Sequence, residues 1–538
     1  MRPYEMADGT EVSGFRASVM RALDAMDPLD PSRPRVYADG TTRAEMLRCM
    51  GEARWCDSIG AAVVPDCRDM FSLEGDEWLQ RRIEEFLSAR LAWALDQRAR
   101  HPGHEKEIDP YVKFCQRQDT AAKARDMKAS FKAHRRIDVS ELDREPSLLG
   151  TPLGVLDLDT GLMPGEEAEE EAVWCDIEPD YAARMFRITR RTEADMGSDV
   201  RRVERRYDAR WDSFVAEVMD GDAERAAFLK RALGYSLYGG NPEKATFVLW
   251  GPKRDNGKST LMNVVKRALG DYAASAPAGL LLDCGRESYT AANPVLASLV
   301  GKRLVDVSEP PLGAALDCAM VKKLASGTDE ISTRHLHRDE FSYVPQFTIW
   351  MHCNALPVVG DTTAVDPRHM FVVEFPRSFE GAERDTGLAD RFATPDGMHT
   401  VLVWLAEGYR DYREQGLNPP ACVTEATEQW LKSSGTWLDS FLRDRCVLGA
   451  DEKCLVSDFK EAAFAYAEGL CEDKMTMREM NRYLRQLSIA PRPVHGKRWY
   501  YGVGLCETEA EAVVRDAENV LRSAGGTPSG GNPTITLI

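Results

Sequence analysis

The sequence predicts a multidomain α/β protein with a mainly helical N-terminal region and a parallel sheet at its centre. Its 538 residues are enough for about three to four domains of ordinary size. Strands and helices alternate along residues 245–376, and the strands are continuously apolar. This pattern is typical of a parallel sheet that is covered on both faces. Near the C-terminus, three helical patterns precede a hairpin, which indicates a further, smaller domain.

The composition is that of a globular protein. The net charge is −18 and 43% of the residues are hydrophobic, which excludes disordered and collagen-like chains. No apolar run approaches the roughly 18 residues of a transmembrane helix, and the N-terminus does not read as a signal peptide, so no membrane partner is expected. The thirteen cysteines form no Cys-x-x-Cys pair, which favours free thiols in a reducing cytoplasm. The acidic balance argues against nonspecific coating of nucleic acid, although it leaves room for a local basic surface.

The first 240 residues divide into two predicted parts. Over residues 1–145 the strongest pattern is an amphipathic helix from Asp76 to Arg100. The basic stretch that follows, at 98–136, is either a solvated helix face or a contact with DNA or a partner protein. Residues 146–240 begin with a small β-element at 147–163 and continue with helical patterns at 211–238.

The segment 251–260, GPKRDNGKST, has the sequence context of a phosphate-binding loop, because it follows an apolar strand and opens a helix. Its glycines let backbone N–H groups turn towards phosphates, and the helix N-terminus favours an anion. We expect Lys258 to reach the β- and γ-phosphates and Ser259 to hold Mg²⁺. Five residues separate Gly251 from Gly257 where four are usual, so the role of the first glycine stays open. The predicted ATP-binding residues are Gly251, Asn256, Gly257, Lys258, Ser259 and Thr260.

Four further residues are predicted to serve hydrolysis. Glu309 ends the strand at 303–309, where ligands bind in such sheets, and we expect it to polarise the attacking water. Asp306, within the same strand, either supports Mg²⁺ or is a buried strand carboxylate. Asn354 ends the strand at 346–354 and either orients the water and senses the γ-phosphate or caps a turn. Arg368 precedes the strand at 370–375 and is either an arginine finger for a neighbouring subunit or an ordinary surface arginine.

The C-terminal region, 430–506, has the element order of a winged helix. Helices are predicted at 436–445, 457–469 and 476–487, followed by a hairpin with Gly496 at its tip. The basic residues of the third helix lie on one face. We expect them to bind duplex DNA together with the hairpin, unless this face docks on the acidic remainder of the protein. These residues are Arg478, Arg482, Arg485, Lys497 and Arg498. Residues 507–538 are predicted to form an acidic helix and a flexible tail.

Five segments in order, GPKRDNGKST, RLVDVSEPP, VKKLASGTDEISTRHLHRDEFSYVPQF, WMHCNALP and DPRHMFVVEF, resemble the motifs of superfamily 3 helicases. The similarity is greatest to the phage, plasmid and poxvirus helicase–primase family. It implies an AAA+-like ATPase domain over 241–425, with ATP and Mg²⁺ as cofactors. The segment at 146–240 resembles the domain that precedes this core in the family. Either Lys322 or Lys323 corresponds to the lysine of the third motif.

The resemblance also implies a ring, a homo-hexamer with ATP between subunits and DNA in the channel. A hairpin at 334–341 would grip the DNA through Arg334, His335, His337 and Arg338. The implied function is ATP-dependent unwinding of duplex DNA, with single-stranded and forked DNA as partners, during replication of a phage, prophage or other mobile element in the bacterial cytoplasm. A separate primase or polymerase would be a further partner. The alternatives are an origin-binding initiator or loader ATPase, and a bifunctional helicase–primase, although the first 145 residues show no paired metal carboxylates.

Overall fold

The computed structural model describes residues 3–25, 37–66, 70–152, 154–159, 187–195, 206–282, 293–311, 314–335, 339–359, 365–434, 438, 441–442, 445–469, 476–486, 489–494 and 497–506. The chain divides into two compact units, one of residues 1–357 and 363–429, and one of residues 358–362 and 430–538. Across the described ranges, no helix combines the length and the apolar character needed to cross a membrane. The predicted acidic helix and tail at 507–538 lie outside the described residues, as does Gly496.

The N-terminal part of the first unit is mainly helical. Helix α3 spans Asp76–Arg100, the bounds that its apolar periodicity predicts, and buries Ile83, Phe86 and Trp93 completely. The helices around it are α1 (Gly14–Asp24), α2 (Asp39–Cys49), α4 (Glu105–Gln118) and α5 (Ala121–His134). The short strands are β1 (Tyr4–Glu5), β2 (Glu11–Val12), β3 (Arg54–Cys56), β4 (Ala61–Pro65) and β5 (Phe71–Glu74). Strands β3, β4 and β5 form an antiparallel sheet that the sequence patterns do not predict.

A short antiparallel hairpin and two helices lead from this part to the central sheet. The hairpin joins β6 (Leu148–Thr151) to β7 (Gly154–Asp157), where a β-element is predicted. Helices α6 (Arg210–Val218) and α7 (Ala223–Tyr235) follow. Gly234 in α7 is a point of close approach, because a Cβ atom there would lie 2.2 Å from the backbone nitrogen of Tyr409.

The predicted parallel sheet is confirmed and has five strands. In chain order they are β8 (Thr246–Trp250), β9 (Ala273–Ala276), β10 (Leu304–Val307), β13 (Thr348–Cys353) and β14 (Met370–Glu374). They lie side by side in the order β14-β8-β13-β10-β9, and every pairing is parallel. Because all five strands run in one direction, their carboxyl ends meet at one edge of the sheet, where ligands bind in such folds.

Helices alternate with the strands along the chain, as the connections of a parallel sheet require. Helix α8 (Lys258–Leu269) follows β8 directly, and α12 (Pro395–Gln415) packs on the same hydrophobic core. Shorter elements complete the unit: α9 (Pro294–Ser298), α10 (Cys318–Ala325), α11 (Leu388–Phe392), and the antiparallel pair β11 (Ile331–Thr333) and β12 (Phe341–Tyr343). Helix α13 spans Ala421–Ser434, and its residues 421–429 belong to this unit.

The described residues of the second unit include a three-stranded antiparallel sheet and two helices. Its elements are β15 (Cys446–Leu455), α14 (Val456–Gly469), α15 (Met477–Gln486), β16 (Pro491–Val494) and β17 (Lys497–Leu505). The strand order is β15-β17-β16, so the strand before the helices pairs with the last strand of the predicted hairpin. Most of the predicted helix at 436–445 lies outside the described residues, and the winged helix therefore stays a prediction.

Candidate nucleotide-binding site

The loop between β8 and α8, predicted to bind phosphate, ends in a left-handed glycine that leads directly into the helix. Gly257, at the N-cap of α8, has φ +84°, and a Cβ atom there would lie 2.5 Å from Val218. Both the left-handed backbone and the close contact therefore require glycine. The first turn of α8 follows, and its backbone N–H groups are free to face an anion because helix N-termini leave them without intrahelical partners.

Gly251 and Asn256 hold this loop in shape. The amide of Asn256 is 4% exposed and donates to the carbonyls of Lys253 at 2.8 Å and Gly251 at 3.3 Å. A Cβ atom on Gly251 would lie 2.2 Å from that amide nitrogen. The predicted ATP-binding residue Asn256 is thus placed as a brace of the loop backbone, and Gly251 is required by the space around this brace.

Lys258 is aimed at the carboxyl edge of the sheet. Its side-chain nitrogen, Nζ, donates to Oδ1 of Asn354 at 3.0 Å and to the carbonyl of Gly251 at 3.1 Å, and the residue is 4% exposed. Burial lowers the pKa of Lys258, and the nearby Glu309 carboxylate works in the opposite direction. A phosphate group at the loop would favour the charged ammonium, since an opposite charge stabilises the ionised form.

Glu309 and Asn354 complete a chain of contacts with Lys258. The backbone N–H of Asn354 donates to Oε1 of Glu309 at 2.9 Å, and the indole of Trp250 donates to the carbonyl of Asn354 at 3.2 Å. The two residues follow β10 and β13, which are neighbours in the sheet. The structure therefore brings together a lysine, an amide and a carboxylate that the sequence places 96 and 45 positions apart.

The first turn of α8 also carries the two predicted hydroxyl residues. Ser259 is exposed and Thr260 is half-buried. Hard cations such as Mg²⁺ prefer oxygen ligands, and the Ser259 hydroxyl and the exposed Glu309 carboxylate fit that preference. Within the described ranges, no three His, Cys, Asp or Glu side chains are grouped to hold a metal ion.

Asp306 does not join this group of residues. It is 3% exposed, and its two carboxylate oxygens contact Nζ of Lys266 at 2.5 Å and Nδ1 of His352 at 2.8 Å. Burial alone would raise the pKa of Asp306, but the hydrogen bonds from His352 and Lys266 outweigh it and lower the pKa. Of the alternatives that the sequence leaves open for Asp306, the structure shows the buried, paired carboxylate.

A cavity of about 230 Å³ opens beside the first turn of α8. Gly257 and Thr260 form one wall, and Phe214, Phe379 and Leu388 supply an apolar surface. Ion pairs stand at its rim, among them Arg384 with Asp255 at 3.5 Å and Arg210 with Glu217 at 3.1 Å. The sequence gives no local signal for these cavity residues, because they come from three separate segments.

Arg368 lies at the opposite edge of the sheet. It precedes β14, whose first residue Met370 pairs with Thr246, five residues before the loop begins at Gly251. At about 3.3 Å per strand residue, this separates Arg368 from its own phosphate loop by about 17 Å. The side chain is 83% exposed and forms a two-point ion pair with Asp366, at 3.0 and 2.6 Å, which lowers the pKa of that carboxyl.

The two candidate lysines of the third motif occupy different surroundings. Lys322 lines a cavity of about 370 Å³ with Thr246, Asp366 and His369, near the Arg368 edge. Lys323 is exposed and does not line this cavity. The geometry thus separates two residues that the sequence alone does not distinguish.

The predicted DNA-gripping hairpin corresponds to the β11–β12 pair. Arg334 is exposed at the end of β11, and the ring of His335 stacks on Phe341 with centroids 5.9 Å apart. His337 and Arg338 lie outside the described residues, so the structure places only half of this predicted set.

In the second unit, the predicted basic residues lie on the outside. Arg478 and Arg485 on α15 are exposed, as are Lys497 and Arg498 on β17. Met480 and Leu484, on the opposite face of α15, are fully buried. Arg482 belongs to α15, but its side chain is not among the described ones.

Comparison with known proteins identifies viral relatives. The family model described as "D5 N terminal like" matches residues 53–219. "Putative helicase L207/L206" of Acanthamoeba polyphaga mimivirus is 29% identical over 243 residues, 42% of this chain and 25% of that protein. "Putative helicase 022R" of Frog virus 3 is 28% identical over 240 residues, 41% of this chain and 24% of that protein. The chain thus spans about a quarter of the length of these relatives.

Among solved structures, the apo structure of the NrS-1 C-terminal region (305-718) is similar at 12% identity. The alignment covers 56% of this chain and 77% of that one, with a TM-score of 0.37.

Proposed function

Because this chain is a relative of the phage, plasmid and poxvirus helicase–primase family, we propose that it is an ATP-dependent DNA helicase of superfamily 3. It hydrolyses ATP at the β8–α8 loop and uses that energy to separate DNA strands during replication of a phage or other mobile element in the bacterial cytoplasm. The contact chain from Lys258 through Asn354 to Glu309 is the observation that carries this proposal.

The geometry supports hydrolysis in the following way. The β- and γ-phosphates of ATP occupy the loop at 251–257, and Lys258 exchanges its contacts with Asn354 and Gly251 for phosphate oxygens. Glu309 accepts a proton from the attacking water, and Asn354 orients that water beside it. Ser259 and Glu309 would hold Mg²⁺, which neutralises charge on the phosphate oxygens when it is bound.

The nucleotide base is assigned to the cavity beside α8. Its wall includes Thr260, one turn from the phosphate position, and its aromatic surface from Phe214 and Phe379 suits a planar ring. The cavity at Lys322 and the cavity at Asp212 and Trp404 share no residue with the phosphate loop.

We propose that copies of this chain assemble into a ring, and the position of Arg368 supports this. About 17 Å separate it from its own phosphate loop, so an arginine finger at this position acts on the ATP of an adjacent copy. Such a head-to-tail contact closes into a ring when the rotation between copies is right. Lys322 lines the cavity on this same side of the sheet, and we therefore assign it, and not Lys323, as the motif lysine.

DNA contacts are assigned to two places. In the first unit they are Arg334 and His335 on the β11–β12 connection, with His337 and Arg338. In the second unit the order of strand, two helices and hairpin, with β15 beside β17, supports a winged helix whose α15 enters the major groove.

A second candidate function is that of an origin-binding initiator or loader without processive unwinding. The basic residues on the outside of the second unit favour it, because a duplex-binding surface serves origin recognition as well as fork binding. Strand displacement separates the two functions, since only the helicase converts ATP hydrolysis into unwound product. Primer synthesis from ribonucleotides would identify the third alternative, a bifunctional helicase–primase.

A further inference from the structure

Asp306 is a buried carboxylate in contact with the half-buried Lys266 and His352, and the proposed hydrolysis does not use these three residues. Both oxygens of Asp306 are occupied, one by Lys266 at 2.5 Å and the other by His352 at 2.8 Å. Lys266 makes a second contact, at 2.9 Å, with the hydroxyl of Ser275 in β9. A carboxylate that is 97% buried is unfavourable unless it is paired, and this one is paired on both sides.

The group joins three elements that each lead to a proposed active-site residue. Lys266 lies on α8, eight residues or about 12 Å along the helix from Lys258. Asp306 lies on β10, three residues before Glu309. His352 lies on β13, two residues before Asn354 and therefore on the same face of that strand.

Helix α8 is consequently tied to β13 at two levels. The upper tie is the hydrogen bond from Lys258 to Asn354, which must open when phosphate takes the lysine. The lower tie runs from Lys266 through Asp306 to His352 and contains none of the residues assigned above to the nucleotide. Phosphate binding at Lys258 therefore does not require the lower tie to open, and this tie joins α8 to β10 and β13 independently of the upper one.

We infer that Asp306 is a positioning residue, which fixes the helix of the phosphate loop to the strands that carry Glu309 and Asn354, and that it is not a ligand of Mg²⁺. The inference rests on the proposed ATPase function and adds a residue to it. It replaces the predicted metal role of Asp306, because this carboxylate is 3% exposed and lies against Lys266 and His352, so a cation would have to displace one of these two side chains to reach it.

The first test is Asp306→Asn, measured as ATPase activity over ranges of ATP and Mg²⁺. We expect kcat to fall by about 10- to 100-fold, as when groups that orient an active site from behind are removed. The KM for ATP should stay unchanged, because Lys258 and its loop are intact. The Mg²⁺ concentration for half-maximal activity should also stay unchanged. A shift in that concentration would assign Asp306 to the metal and overturn the inference.

Rescue is the second test, because Asp306→Asn removes the carboxylate that pairs with the half-buried ammonium of Lys266. Adding Lys266→Gln makes the group neutral again and should restore part of the lost kcat. Arg267→Gln is the matched control: Arg267 is the next residue on α8, is exposed, and should give no rescue in the Asp306→Asn background. Equal effects of the two second substitutions would contradict the inference.

His352→Ala provides a variant that keeps the Lys266–Asp306 pair, should Asp306→Asn fail to fold. It should lower kcat at unchanged KM, and an unaltered kcat in a folded His352→Ala protein would overturn the inference. Failure of the proposed function would look different, since the wild-type protein and the Arg267→Gln control would then show no ATPase activity that depends on Lys258.

Discussion

Arg368→Ala is the substitution that most sharply separates a ring from an independent subunit. About 17 Å of strand separate Arg368 from its own phosphate loop, so its side chain does not reach the ATP of the same chain. An arginine finger contributes about 10³–10⁵ in rate, and we expect a loss of that order in steady-state ATPase activity. Arg98→Ala is the matched control, because Arg98 is also an exposed, ion-paired arginine and should be silent.

Mixing this variant with Lys258→Ala gives the magnitude that tests the assignment. In a ring formed from equal amounts of the two proteins, a site works only when an Arg368→Ala subunit binds ATP and a Lys258→Ala subunit supplies the arginine. Random order makes about one quarter of the sites competent, so activity should return to about a quarter of the wild-type value. The assay is ATP hydrolysis with assembly measured in parallel by mass photometry. Mixed assemblies that form but remain inactive would refute the arginine-finger role.

Two further variants, one of them a double substitution, test separate parts of the proposed function. Glu309→Gln should bind ATP normally, but its turnover should fall by about 10²–10⁴, because the amide accepts no proton from water. ATP binding and single-turnover hydrolysis measure this, with the exposed Glu414→Gln as the control. Unchanged turnover would assign the general base to another residue. The double variant Arg478→Ala/Arg485→Ala should bind duplex DNA more weakly and with a shallower salt dependence, because fewer counterions are released on binding. Its ATPase activity without DNA should stay normal. Unchanged DNA affinity with impaired assembly would show that this face packs against another subunit.

The central sheet could be predicted wherever its strands are continuously apolar. Strands β8, β10, β13 and β14 each carry such a run, and their order with the intervening helices gives a parallel sheet. The sequence does not predict the edge strand β9, because Ala273–Ala276 is four small residues with no β-branched or aromatic side chain. It is a strand because β10 offers it a partner, which is a tertiary cause that local sequence does not show.

A similar limit applies to β15 in the second unit. Its pairing with β17 is interrupted, with a register shift between Leu448 and Lys453, and the intervening Gly449 and charged residues read as a loop. By contrast, α3 was predicted to the residue, since 25 positions of helical periodicity leave little freedom in its bounds.

The sequence predicts those residues of the candidate site whose positions follow from the common direction of the strands. Lys258, Glu309 and Asn354 each follow a strand of a parallel sheet, and the carboxyl ends of such strands share one edge. The partners of Asp306 were not predictable, because Lys266 and His352 stand 40 and 46 positions away and nothing near Asp306 indicates them. A carboxylate on an interior strand has the same local sequence whether it faces a metal or an ion pair.

Strand displacement on forked DNA tests the central claim most directly. The wild-type protein is incubated with a fluorescent fork, ATP and Mg²⁺, beside Lys258→Ala and a reaction without ATP. The account predicts released single strand only with wild-type protein and ATP, at a rate that follows ATP hydrolysis. The contradicting result is a protein that hydrolyses ATP through Lys258 and binds the forks but leaves them intact. That result would overturn the helicase assignment and identify the chain as an initiator or loader ATPase.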